Sequence, residues 1–93
     1  MIRSFKDKTS EAVAAGKIPK GFPPDLVRSA QRKLFMIEHA LELNDLKTPP
    51  GNKLHALDKD RKGQHAIWIN DQFRVCFRWV DGQAEDVEIT DYH

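Results

Sequence analysis

The hydrophobic period of the chain changes once, close to residue 50. Before that point, apolar residues recur every three or four positions. Leu26, Ala30, Leu34, Ile37 and Leu41, with Val27 and Phe35 widening the stripe, predict an amphipathic helix over residues 24–43. Pro23-Pro24-Asp25 suits its start, because a first-turn proline loses no needed hydrogen bond and an aspartate favours the positive end of the helix dipole. A two-turn helix is expected over residues 8–15, with Asp7 accepting from the free amides of the first turn and Gly16 supplying a left-handed stop. Residues 1–6, with Ile2 and Phe5 apolar but no strict alternation, are a weak strand candidate.

Asn44-Asp45 and Pro49-Pro50-Gly51 mark the break, and beyond it the period is two. Phe73, Val75, Phe77 and Trp79 alternate with Arg74, Cys76, Arg78 and Val80, as in a strand that buries one face. Asp81-Gly82 is a tight hairpin turn and Asn70-Asp71 a weaker one. Strands over 66–69, 73–80 and 84–90 should form an antiparallel meander, with a further short strand at 53–57. Helices followed by a sheet predict an α+β fold in one domain spanning residues 1–93, two N-terminal helices lying on one face of a mainly antiparallel sheet. The other face is expected to be open.

That open face gives alternation a chemical meaning. If the aromatic residues of 73–80 meet the long helix, Arg74 and Arg78 point to the uncovered side, where they would favour phosphate. At such a site, replacing Arg74 should cost only on the order of half a kcal/mol.

The formal net charge is +1, but the charges are segregated. Residues 1–33 hold eight bases against three acids, 47–78 seven against three, and 81–91 five acids and no base. A nearly neutral protein of this kind should hold free RNA weakly unless something larger presents it. The lone Cys76 excludes an intrachain disulfide, and neither a signal peptide nor a membrane span is expected. The cytoplasm is the expected location, without a membrane partner. His39, His55, His65, His93 and Cys76 show none of the close pair spacings of a zinc site, so no metal or other cofactor is expected, and no glycine-rich phosphate loop is present. Cys76, inside a strand, reads as a buried, inert thiol.

Metal-free cleavage of RNA needs a base for the ribose 2′-hydroxyl, an acid for the leaving 5′-oxygen, and cations for the charged phosphorane. His55, Asp91, Tyr92 and His93 offer the first two functions, and Arg74 with the segment Lys59-Asp60-Arg61-Lys62 offers the third. Lys53 and Arg78 complete the set of candidate phosphate ligands. Taken singly, His55 would be an ordinary surface or core histidine and His93 a frayed end.

The order of motifs adds to this. Met1-Ile2-Arg3-Ser4-Phe5, then Pro49-Pro50-Gly51-Asn52-Lys53-Leu54-His55-Ala56-Leu57, Asp60-Arg61-Lys62-Gly63, Phe73-Arg74-Val75-Cys76-Phe77 and Val87-Glu88-Ile89-Thr90-Asp91-Tyr92-His93 resemble, along the whole chain, the HigB toxins of bacterial toxin–antitoxin pairs, a branch of the RelE/ParE superfamily. The resemblance implies a microbial-ribonuclease-like, RelE-like fold and cleavage of messenger RNA in the ribosomal A site. It also implies a HigA-type helix-turn-helix antitoxin, with operator DNA bound only through the toxin–antitoxin complex. By position, His55, Asp91, Tyr92 and His93 match the catalytic set, and Arg74 the strand arginine that faces the phosphate. Asp58-Lys59 departs from the lysine and glycine that many relatives carry there, so Lys59 is expected to substitute. Two other functions remain open at this point: a ParE-like toxin that inhibits gyrase by contact, and a catalytically weak toxin acting mainly in an operator-binding complex.

Overall fold

Among the described residues two helices precede four strands, as the change of period predicts. They are α1 (Lys8–Ala14), α2 (Pro24–His39), β1 (His55–Ala56), β2 (His65–Trp68), β3 (Phe73–Val80) and β4 (Gln83–Asp91). The computed structural model describes residues 1–91. The strands form an antiparallel sheet in the order β1-β2-β3-β4, so β3 is hydrogen-bonded along both edges. Asp81 and Gly82 have φ of 50° and 78°, the left-handed pair that a tight two-residue hairpin requires.

One sheet face packs on the helices. Ile67, Val75, Phe77 and Val87 are buried against Val13 of α1 and Val27, Ala30, Leu34 and Ile37 of α2. The alternation along β3 therefore sorts as the sequence predicts. Asp7 caps α1, its Oδ1 accepting from the Ser10 amide at 2.7 Å, and Gly16 follows with φ of 88°.

The long helix is shorter than its apolar stripe predicts. It ends at His39, because the amides of Leu41 and Glu42 both donate to Asp45 Oδ2 at 3.0 Å in place of a helical carbonyl. Leu43–Lys47 then form a 3₁₀ turn. Leu41 consequently falls outside the buried stripe, at 84% exposure, while Phe35, inside the helix, faces outward at 64% with its ring centre 4.1 Å from that of His39. The loop beyond is tied down by Asn52, which is fully buried. Its Nδ2 donates to the carbonyls of Leu46 and Thr48, and its Oδ1 accepts from Lys33 Nζ of α2 at 2.6 Å. Burial, and secondarily the charge of Arg32, lowers the Lys33 pKa.

The predicted strand at 53–57 shrinks to the two residues of β1. Residues 1–6 make only isolated parallel bridges, Ile2 to Ala84 and Phe5 to Val87. Those bridges still cover the outer edge of β4. The amides of Ala84 and Val87 donate to the carbonyls of Met1 and Ser4, that of Asp86 to Ser4 Oγ, and that of Ile89 to Ser10 Oγ, both at 2.9 Å. An exposed strand edge would otherwise invite pairing with another chain.

Ser10 is thus both a residue of α1 and a ligand for the sheet edge, with no exposed surface. Ser10→Ala leaves the Ile89 amide without that acceptor and should destabilise the fold by about 1–3 kcal/mol. Thermal unfolding followed by circular dichroism should show a fall in Tm of at least several degrees. An unchanged Tm would mean that the helix–edge hydrogen bond contributes nothing.

Candidate functional site

The face turned away from the helices holds most of the candidate chemistry, but it is less open than the alternation suggests. Register places Ala66 opposite Cys76, Trp68 opposite Arg74, and Arg74 opposite Thr90. Residues 57–64 fold over part of this surface. The Leu57 amide donates to the Gln64 carbonyl at 2.9 Å, and the 3₁₀ turn Lys59–Arg61 lies between them. Beneath it Leu57, Ala66 and Cys76 form a second buried cluster. Burial there raises the Cys76 pKa, consistent with an inert thiol.

Arg61 fastens this segment to the sheet. Its Nη1 lies 3.0 Å from Glu88 Oε1 of β4 and 3.1 Å from Gln64 Oε1. A phosphate reaching Arg61 would compete with Glu88. Lys59 and Lys62 are exposed on the same segment, beside a shallow depression of about 350 Å³ bordered by Asp58, Lys59, Asp60 and Arg61. Arg78 passes close to Gly63, where a Cβ would stand 2.9 Å from its Nη1. Its Nε faces Asp86 Oδ2 at 3.7 Å. A bulge brings Asp86 there: between Cys76 and Arg78 the register slips, with Asp86 at φ 54°.

Arg74 corrects the expectation of an exposed guanidinium. It has the predicted strand parity, yet only 7% of it is exposed. Its Nη1 donates to the carbonyls of Asn70 and Phe73, and its Cζ lies 3.7 Å from the centre of the Trp68 ring. The turn before β3 makes this possible, since Asn70 Oδ1 accepts from the amides of Gln72 and Phe73 and so fixes the Asn70 carbonyl beside β3.

Lys53 meets the same ring, with Nζ 3.8 Å from the centre of the Trp68 indole. Lys53 has a left-handed backbone, φ 49° and ψ 46°, at the end of the 3₁₀ turn Pro50–Asn52. Two residues on, exposed His55 brings its Nδ1 to 2.8 Å from the Lys53 carbonyl. A carbonyl can only accept, so Nδ1 carries the proton, and neutral His55 keeps its lone pair on Nε2. Lys53, His55, Trp68 and Arg74 are thereby linked into one group. Trp68 was not predicted from sequence.

His65, facing Ala56 across the β1–β2 pair, stacks on Phe77 with ring centres 6.4 Å apart. Burial, and then the neighbouring His55, lowers its pKa. A depression of about 410 Å³ beside both histidines is lined by Leu43, Lys47, Leu54 and Ala56. Asp91 stands opposite Phe73, on the parity of Val75 and Ile89 and not that of Arg74, and its Oδ2 accepts from Gln72 Nε2 at 3.0 Å. Tyr92 and His93 lie outside the described residues. Among the described residues, no group of three or more His, Cys, Asp or Glu is placed to hold a metal ion.

A family model described as the RelE-like toxin HigB of type II toxin–antitoxin systems matches residues 3–93. The chain is 36% identical over 85 residues to Toxin HigB-1 of Vibrio cholerae, covering 90% of each protein. It is 31% identical to Endoribonuclease HigB of Proteus vulgaris over 93 residues, the full length of both. Its fold resembles that of a YafQ mutant from E. coli, with a TM-score of 0.63 and 13% identity over 98% of this chain and 93% of that one. It also resembles a chain of the YoeB–YefM complex from Staphylococcus aureus, with a TM-score of 0.62 and 15% identity over 100% and 98%.

The burial of Arg74 changes what its replacement should do. Arg74→Ala removes the two carbonyl bonds and the Trp68 stack, and should cost about 2–3 kcal/mol in chemical denaturation, well above a surface site. Arg74→Lys keeps the charge and should cost about half as much. A stability equal to the parent's in Arg74→Ala would show that these contacts are not made in solution.

Proposed function

The chain belongs to the HigB family of RelE-like toxins from type II toxin–antitoxin systems, and on that premise we propose that it is an endoribonuclease that cleaves messenger RNA in the ribosomal A site by acid–base chemistry of its own side chains. The name of the Proteus vulgaris relative, an endoribonuclease, supports the reaction class. The observation that carries the chemistry is the contact between His55 Nδ1 and the carbonyl of Lys53, which leaves Nε2 as the acceptor on a residue tied to the lysine that shares the Trp68 ring with Arg74.

In this reading, Nε2 of neutral His55 takes the proton of the ribose 2′-hydroxyl. The 2′-oxygen attacks the adjacent phosphorus, the bond to the 5′-oxygen breaks, and His93 protonates that leaving oxygen. The products are a 2′,3′-cyclic phosphate and a free 5′-hydroxyl. Asp91 orients an imidazole and Tyr92 positions the phosphate or a base. Arg74 and Lys53 offset the charge gathering on the phosphorane, which a positioned cation does more effectively than water because it does not have to reorient. Lys59, Lys62, Arg61 and Arg78 hold flanking phosphates.

The ribosome supplies what the small, nearly neutral surface lacks, by concentrating the message and fixing its geometry. A toxin of this class works with an antitoxin, and a HigA-type helix-turn-helix protein is the proposed partner, with operator DNA reached only through their complex. The proposed location is the cytoplasm; among the described residues no helix is long and apolar enough to cross a membrane.

Single-turnover cleavage on programmed ribosomes tests the assignment. His55→Ala and His93→Gln should each slow cleavage by about 10²–10⁴-fold, the usual contribution of a general base or acid. Both should melt close to the parent, and the parent should cut ribosome-bound message far faster than free RNA. Normal cleavage by His93→Gln would remove it as the acid, and equal rates on the two substrates would indicate a general nuclease.

A further inference from the structure

Two cations beside one another on a solvated surface repel and drift apart, yet Lys53 and Arg74 converge on one indole. The topology shows how. β2 lies between β1 and β3, so Trp68 of β2 is approached by Lys53 from the β1 side and by Arg74 from the β3 side. An indole carries negative charge on its faces and attracts a cation placed over the ring. Each side chain also has a second fixed point. Arg74 is anchored to the carbonyls of Asn70 and Phe73, and the Lys53 backbone is set by its left-handed turn and by His55 on its carbonyl.

We propose that Trp68 is a positioning residue of the active site, holding Lys53 and Arg74 as a paired cation clamp for one RNA phosphodiester next to His55. This rests on the endoribonuclease reading. Trp68 does not touch the reacting atoms. With two cations already over its ring, its role is not to stack a base. Its effect is to remove the freedom that a four-carbon lysine stem would otherwise have to lose when the phosphate arrives, which lowers the ordering cost of binding and of the charged transition state.

The test is a substitution cycle on the full-length protein. Trp68→Leu keeps bulk and removes the π face; Trp68→Phe keeps a smaller one. Trp68→Leu should slow single-turnover cleavage on programmed ribosomes by about tenfold or more, and Trp68→Phe by about threefold or less. In a Lys53→Met, Arg74→Gln background, which leaves neither cation over the ring, the same Trp68→Leu change should cost less than a factor of three, because it acts through those two side chains. An equal loss in both backgrounds, or parent-like cleavage by Trp68→Leu, would overturn the proposal.

A second measurement leaves Trp68 in place and needs no cleavage. In a Trp79→Phe protein, Trp68 is the remaining tryptophan, and its emission reports on the clamp. At low salt, an RNA oligonucleotide with 2′-O-methyl sugars, which lacks the attacking hydroxyl, should change that emission as its phosphate charge meets the cations held over the ring. Lys53→Met should reduce the change severalfold. Binding with no change in Trp68 emission would overturn the clamp even in a protein that cleaves. A parent that cuts no RNA but shows the Lys53-dependent signal would instead sink the endoribonuclease reading and leave the clamp standing as an anion site.

Discussion

Strand β3 is the constraint on which the rest of the molecule depends. It is bonded along both edges, and its side chains must alternate between two environments that cannot be exchanged. Val75 and Phe77 enter the helix-packed core, so Arg74, Cys76 and Arg78 must face the other way. A slip of one residue would place a guanidinium among Val27, Leu34 and Ile37, at a cost no local rearrangement could offset. The hydrophobic core thereby fixes where the cations lie. The site needs no separate scaffold, because the register that fills the core also sets Arg74 opposite Trp68 and Thr90.

Irregular segments then finish what the sheet begins. The 3₁₀ turn Pro50–Asn52, pinned through Asn52 to Lys33 of α2, delivers Lys53 in a left-handed conformation and His55 behind it. A non-glycine residue at positive φ is strained by on the order of 1 kcal/mol or more, and such strain persists where surrounding contacts hold it. Here the contacts are the buried Asn52 and the indole over which the Lys53 ammonium lies. On the far side, Arg61 joins the 57–64 segment to Glu88 and closes a small apolar cluster around Cys76. The candidate face is therefore partly covered, with Arg74 buried and Lys53, Lys59 and Lys62 exposed.

Much of this was legible in the sequence, for identifiable reasons. The α1 cap at Asp7, the Asp81-Gly82 turn and the parity of β3 rest on local chemistry, and they stand. The end of α2 was not legible from its stripe, because Asp45 competes for the Leu41 and Glu42 amides from outside the periodic segment. The burial of Arg74 was missed because alternation gives the side of a sheet and not what folds over it. Trp68 could have been found: once residues 70–72 are taken as a turn, counting back along the hairpin sets it opposite Arg74, and an indole facing a guanidinium is a stacking pair. The register puts Asp91 on the core-side parity, which alternation along 84–90 already implied, whereas Glu88 as the partner of Arg61 carries no sequence signal.

If the ribose 2′-hydroxyl is the nucleophile and histidines move the protons, a codon without that hydroxyl must resist cleavage. The most direct measurement is cleavage on ribosomes programmed with a message whose A-site codon carries 2′-deoxy sugars, compared with the all-ribose message at the same occupancy. The substituted codon should stay intact while the ribose codon is cut. Cleavage of both at the same rate would contradict this, because the nucleophile would then have to be water, and the assignment of His55 as the base for a 2′-hydroxyl would fall.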